Sequence, residues 1–308
     1  MPTIATVTMN PTVDLSYEVK KVIPIRKIRG VGERLDPGGG GINVARVFTR
    51  LGGKATCYYV SGGTTGMTLD GLLGALPFSC FPMRTAGNSR IAVNIYEMET
   101  GLEYRFLPPG PTVVEHEAVA ALHKLEEIEA DYIVASGSLP PGMPADFYAE
   151  ITNLANRKGI KMVLDTSGAP LREGLAAAPV YFVKPNLREF QELVGRELNG
   201  KDEVIAAARD YVTSGRTEII VVTMDVDGAV LVTADDEFFL PAMEVTAKSA
   251  IGAGDSFIAG MIYRLAEGDT PRQAFRYGMA AGSAATLTSG TDLAQPADIE
   301  RLLAETVG

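Results

Sequence analysis

Gly252, Ala253, Gly254 and Asp255 are the residues in this chain whose types and spacing point most directly to chemistry. Two glycines around an alanine let backbone N–H groups approach a ligand without Cβ obstruction. The apolar helical pattern that follows places this stretch at a helix start, where unpaired donors and the peptide dipole favour an anion. A carboxylate beside bound anionic oxygens can take the proton of an attacking hydroxyl. Asp255 could equally be a capping residue, because aspartate is favoured at helix starts. Local sequence leaves both readings open.

Further candidates are spread along the chain. Asp14 follows the turn signal Asn10-Pro11, and both a ligand contact and an Asx-type turn suit it. Gly38 to Gly41 are four consecutive glycines, whose entropic cost on folding a plain connector would seldom carry. They open the helix that holds Asn43, so Gly39 and Asn43 suit hydrogen bonding to a polyhydroxylated ligand. No Lys-Ser/Thr pair follows, so this is not a P-loop, and the glycine spacing is not that of a dinucleotide fingerprint. Lys27 and Arg29 read locally as charges on a solvated edge, and Arg90 opens a hairpin. Asn186 and Glu189, three apart at a helix start, match a capping box or two oxygen donors to hydrated Mg²⁺.

These residues need elements to hold them. Ile4 to Met9 reads as a first strand, with two shorter ones at Leu15 to Val19 and Ile28 to Leu35. A helix over Ile42 to Leu51, a strand over Ala55 to Val60 and a helix through Leu76 follow. Ile91 to Glu97 and Glu103 to Leu107 pair around Glu99-Thr100-Gly101 as a hairpin. Helix and strand patterns then alternate as far as Leu240, the signature of a largely parallel sheet covered by helices on both faces. Three helices close the chain. Polar turns after the strands, at Ser136 to Gly142, Asp165 to Gly168, Lys184 to Glu189 and Thr223 to Asp225, lie where α/β proteins collect ligands.

The bulk properties exclude several classes. The 308 residues are 46% hydrophobic and carry a formal charge of −10, with a pI near 4.9, which argues against nucleic-acid or anionic-membrane partners. Any phosphate ligand must therefore be met by local, deliberate positive charge. Two cysteines, Cys57 and Cys80, fit a reducing cytoplasmic location and no disulfide framework. No apolar run is long enough to span a membrane. The N-terminus reads as a strand rather than a signal peptide. His116 and His123, the only histidines, fall in an acidic helical segment and suggest no metal site.

Taken together, Asn-Pro-Thr-Val-Asp, Pro-Gly-Gly-Gly-Gly-Ile-Asn-Val-Ala-Arg, Gly-Ser-Leu-Pro-Pro-Gly, Lys-Pro-Asn-x-x-Glu and Gly-Ala-Gly-Asp-Ser resemble the PfkB branch of the ribokinase-like sugar kinases, in the family's order and across nearly the whole chain. The resemblance implies one doubly wound α/β domain over residues 1–308. A small β-sheet lid would come from about 15–35 and 89–107. The implied reaction moves the γ-phosphoryl of MgATP to a sugar hydroxyl. The quadruple glycine favours the 6-phosphofructokinase members, which convert fructose 6-phosphate to fructose 1,6-bisphosphate. Kinases of fructose 1-phosphate and tagatose 6-phosphate typically show Gly-Gly-Lys-Gly there. An unphosphorylated sugar as acceptor, or a non-catalytic sugar-phosphate or nucleotide sensor on the same fold, are the alternatives.

Carried over by resemblance, Asp255 is the general base, and the backbone of Gly252, Ala253 and Gly254 stabilises the transferring phosphoryl. Asp14, Gly39 and Asn43 hold sugar hydroxyls. Lys27 and Arg90 pair with the phosphate on the sugar, with Ser138 and Arg105 nearby. Lys184, Asn186 and Glu189 serve the ATP phosphates and Mg²⁺. Thr223, Asp225, Gly228, Ser283 and Gly290 belong to the nucleotide side. The resemblance also implies a homodimer. Three positions depart from the family pattern: Asp225 stands where glycine is usual, Ala250 where threonine is common, and Asp292 where arginine is expected. Asp225 brings negative charge and a restricted backbone to the nucleotide side.

Overall fold

A strand with apolar side chains on both faces is stable only between two covered layers. β1 (Thr3–Thr8) is such a strand, buried throughout from Ile4 to Thr8. The computed structural model describes residues 1–288 and 291–305. After β1 come β2 (Thr12–Val19), β3 (Val31–Gly38), α1 (Gly40–Arg50), β4 (Lys54–Gly62) and α2 (Gly63–Gly74). β5 (Ser79–Thr85), β6 (Arg90–Glu97), β7 (Leu102–Phe106) and α3 (Glu115–Leu125) follow. The alternating part holds β8 (Tyr132–Ser136), α4 (Phe147–Lys158), β9 (Lys161–Asp165), α5 (Gly168–Ala177) and β10 (Val180–Val183). It continues with α6 (Leu187–Val194), α7 (Gly200–Thr213) and β11 (Thr217–Thr223). β12 (Ala229–Val232), β13 (Glu237–Leu240), α8 (Ala253–Ala266), α9 (Pro271–Thr286) and α10 (Pro296–Glu305) complete the chain.

The large sheet runs β13-β12-β11-β10-β9-β8-β1-β4-β5, parallel from β5 to β11 and antiparallel across β12 and β13. β1 pairs with β4 on one side and β8 on the other, so the strand order reverses there. The crevice beyond the carboxyl ends of such strands is where open α/β sheets bind ligands. Side chains alternate across the sheet. Ala5, Val7, Ile133 and Ala135 join the core under α3 to α7, whereas Ile4, Tyr132 and Val134 join the core with α1, α8, α9 and α10. Fully buried side chains such as Phe48, Phe147 and Phe190 each contribute about 1.5–3 kcal/mol by leaving water.

A second sheet, ordered β3-β2-β6-β7, stands beside this crevice. Its registers put Asp14 opposite Asp36, Ser16 opposite Asn94 and Asn94 opposite Arg105, a polar row across the sheet. A third apolar cluster, including Val13, Ile42, Tyr59, Leu69 and Leu73, packs the base of this sheet against α1 and α2.

Three local features differ from the sequence-based expectation. β3 begins at Val31 rather than Ile28 and continues to Gly38, because its pairing with β2 carries the chain straight into the glycine run. β5 is an additional strand despite Pro82; it lies at the edge of the sheet, where the missing N–H costs little. α5 forms where only a turn is legible, with Pro170 in its first turn, a position that needs no intrahelical N–H bond.

Candidate active site

The first turn of α8 is set by Gly252, whose φ of 74° lies in the left-handed region. A Cβ at this position would sit 2.2 Å from Leu293 Cδ2, so both backbone conformation and space require glycine. Asp255 follows on the first turn. Its Oδ2 accepts a hydrogen bond from Asn43 Nδ2 at 2.8 Å, across 212 residues of sequence. The carboxyl is thus held from α1 and opens on the crevice. Burial pushes its pKa up to about 7, helped by the nearby Asp165 charge and opposed by the Asn43 hydrogen bond, Lys184 and Arg105. A carboxylate tuned near neutrality and fixed by a neighbouring amide is suited to accept a proton.

Asp165 ends β9. Its Oδ2 accepts from Ser136 Oγ at 2.9 Å, and its Oδ1 lies 3.6 Å from Lys184 Nζ. Lys184 is buried, and its ammonium would lie 3.4 Å from a Cβ placed on Gly254. Positive charge is therefore packed against the start of α8, where an anion would be received. Asp165 and Ser136 carry no individual signature in the sequence; their signal is a place in the polar turns that follow buried strands.

On the other side of the crevice stands the second sheet. Asp14 in β2 is buried, and burial together with Asp36 opposite it pushes its pKa up to about 6 against the pull of Arg105, Arg46 and Arg90. A Cβ on Gly38 would come within 2.2 Å of Asp14 Oδ2, so the glycine leaves room for this carboxyl. Arg90 NH2 donates to Asn10 O at 2.6 Å and NH1 to Pro108 O at 3.2 Å, which fixes the guanidinium, while its buried Nε has no protein partner. A cavity of about 460 Å³ brings together Gly39, Asn43, Arg90, Arg105, Ser138 and Asp255, with Gly252 and Glu189 at its wall. Lys27 is not in this group; it is exposed on the connection between β2 and β3.

Asn186 and Glu189 cap each other. Glu189 N donates to Asn186 Oδ1 and Asn186 N to Glu189 Oε2, both at 2.9 Å. Glu189 also lines the cavity, and burial raises its pKa. Among the described residues no cluster of three or more His, Cys, Asp or Glu forms a ready-made metal cage. Thr223 ends β11 and bridges to Asn186. Asp225 is exposed, with an unfavourable φ of 49° for a residue bearing a Cβ. At Gly228, with φ of 115°, a Cβ would meet Leu240 O at 2.0 Å. Ser283 is half-buried on α9, and Gly290 lies outside the described residues. Thr223, Asp225, Gly228 and Ser283 do not line the 460 Å³ cavity. Ala250 is exposed, and its carbonyl accepts from Ala253 N. Asp292 pairs with Arg34 at 2.5 Å.

Known proteins are similar to this chain in sequence and fold. Residues 8–298 match the profile of the pfkB family carbohydrate kinases. The ATP-dependent 6-phosphofructokinase isozyme 2 of Mycobacterium tuberculosis is 39% identical over 304 residues, covering 97% of this chain and 88% of that protein. The Escherichia coli K12 protein of the same description is 36% identical, covering 99% of both. The crystal structure of Escherichia coli phosphofructokinase-2 in complex with fructose 6-phosphate superposes with a TM-score of 0.93 at 34% identity over 100% of both chains. With a family match over almost its full length and relatives above 30% identity, the chain belongs to the pfkB family of carbohydrate kinases.

Proposed function

We propose that the protein transfers the γ-phosphoryl of ATP to the C1 hydroxyl of fructose 6-phosphate, forming fructose 1,6-bisphosphate and ADP. The observation that carries this reading is Asp255: near-neutral in pKa, held by Asn43, and facing the same cavity as Arg90 and Arg105. Asp14, Gly39 and Asn43 orient the sugar hydroxyls, while Arg90, Arg105 and Ser138 receive the 6-phosphate. Asp255 takes the hydroxyl proton as the oxygen bonds to the γ-phosphorus, and the bond from that phosphorus to the β–γ bridging oxygen breaks, releasing ADP. Backbone donors of Gly252, Ala253 and Gly254, with Lys184 behind them, stabilise the charge spread over the phosphoryl oxygens. The excess of acidic residues is compatible with this substrate because the basic side chains gather at the site.

Glu189 fits an outer contact to hydrated Mg²⁺, since one carboxylate oxygen remains for a water after capping. Bound there with Asn186, the ion would neutralise charge on the ATP phosphates. Thr223, Gly228 and Ser283 would border the nucleotide, with Gly290 assigned by resemblance alone. The second sheet would act as a lid. Its exposed Val31, Leu35, Ile91, Leu102 and Phe106 make a homodimer through these strands the natural way to cover apolar surface and open edges. Lys27 could then serve the phosphate only from a different arrangement of its connection or from a second copy. A non-catalytic sensor is the second reading, favoured by Asp225 alone.

A coupled ADP-release assay against fructose 6-phosphate, fructose 1-phosphate, tagatose 6-phosphate and free fructose tests the proposal. Fructose 6-phosphate is expected to give the highest kcat/KM. A preference for another acceptor would reassign the substrate, and no ADP release with any of them would leave the sensor reading.

A further inference from the structure

The residues just after α9 reach elements that are far apart in sequence. Thr291 Oγ1 donates to Asp36 Oδ2 at 2.6 Å, and both residues are buried. Asp36 lies on β3, two residues before the glycine run. Arg34 on the same strand binds Asp36 through Nε at 2.7 Å and NH2 at 3.0 Å, and its NH2 reaches Asp292 Oδ1 at 2.5 Å. The carbonyls of Asp292 and Ala294 accept from Arg50 NH1 on α1, the helix that carries Asn43. Leu293, at φ of 60°, places its side chain where a Cβ on Gly252 would be, and Ala294 N donates to Ser256 Oγ on α8 at 3.4 Å. Four consecutive residues therefore touch β3, α1 and the first turn of α8.

We infer that Thr291 and Asp36 are positioning residues that hold the sugar-side glycine run in register with the Gly252–Asp255 turn. The inference rests on the kinase reading above. Neither residue need touch substrate. Their bond fixes the end of β3, from which Gly38 to Gly41 lead into α1, while Leu293 and Ala294 anchor the same segment to α8. The 2.8 Å contact between Asn43 and Asp255 spans the two parts so aligned. A hydroxyl-to-carboxylate bond is directional, and it joins Asp36 to the segment after α9, whereas the two Arg34 bonds to Asp36 stay within β3.

Thr291→Val keeps the shape and removes the hydroxyl. Its kcat with fructose 6-phosphate is expected to fall by roughly tenfold, the size of one buried hydrogen bond to a charged group. Affinity for a non-hydrolysable ATP analogue alone should stay near the parent's, while the melting midpoint should fall by a few degrees because buried Asp36 loses a partner. Thr291→Ser should restore kcat. Arg34→Met leaves the buried Asp36 carboxylate without its cation, so the melting midpoint should fall, while kcat should fall to a lesser degree than in Thr291→Val, by about threefold. The inference is overturned if Thr291→Val keeps the parent kcat, or if Thr291→Ser is as slow as valine, which would assign the effect to methyl packing. A parent protein that releases no ADP with fructose 6-phosphate fails the kinase reading and this inference with it. An active parent with indifferent variants fails this inference alone.

Discussion

Asp255→Asn separates chemistry from stability at one atom. The folded protein raises the Asp255 pKa from 3.8 to about 7, chiefly through burial and then through the Asp165 charge. Between those values the folded state binds the proton and the unfolded state does not. Stability from this group is therefore greatest below about pH 4, declines as pH rises towards 7, and is constant above it. At about 1.4 kcal/mol per unit, the cost of the charged carboxylate at pH 8 is about 4 kcal/mol at most; water in the cleft screens it, so about 1–3 kcal/mol is expected. Asparagine copies the shape of the protonated acid and still accepts from Asn43. Asp255→Asn should stabilise the protein by that amount at pH 8, and by less than half of it near pH 5. Turnover should fall by at least about 100-fold through loss of the base. Urea melts at both pH values, with ADP release on the same samples, measure each part. Equal or negative stability changes at the two pH values would refute the buried-charge argument. Turnover close to the parent's would refute Asp255 as base.

The parent enzyme's kcat should itself rise with pH through the region of pH 7 as Asp255 ionises, and a flat profile between pH 5.5 and 8.5 would count against the assignment. Arg90→Ala should raise the KM for fructose 6-phosphate by about 10- to 100-fold with a smaller change in kcat. Lysine should restore it poorly, having no second arm to hold both Asn10 O and Pro108 O; an unchanged KM would argue against a phosphorylated acceptor. Gly38→Ala would press a methyl group to 2.2 Å from Asp14 Oδ2, so a destabilisation of about 1–3 kcal/mol and weaker sugar binding should appear in melts and kinetics. Asp225→Gly removes a strained φ and a negative charge, and the KM for ATP should fall. If that KM is unaltered, Asp225 is not near enough to the nucleotide to matter.

Much of this protein was legible from residue order alone. Buried strands such as Ile4 to Thr8 announce themselves by composition, and the helix–strand alternation implies the parallel sheet because apolar faces must be covered on both sides. Gly252 and the run from Gly38 to Gly41 stand out because few other residues tolerate such conformations or approaches. The family itself follows from five motifs in order. Asp255 illustrates the limit: its local sequence suits a helix cap as well as a base. Only the fold brings Asn43 onto its carboxyl and the charges of Asp165 and Lys184 near it, and the resulting burial and charge set its pKa. Asp165, Thr291 and Asp36 carry no local signature, because their partners lie across strand ends and 255 residues in the case of Thr291 and Asp36. Motifs are local and survive in the sequence, whereas distances, burial and electrostatic neighbours arise from chain segments that meet only in three dimensions.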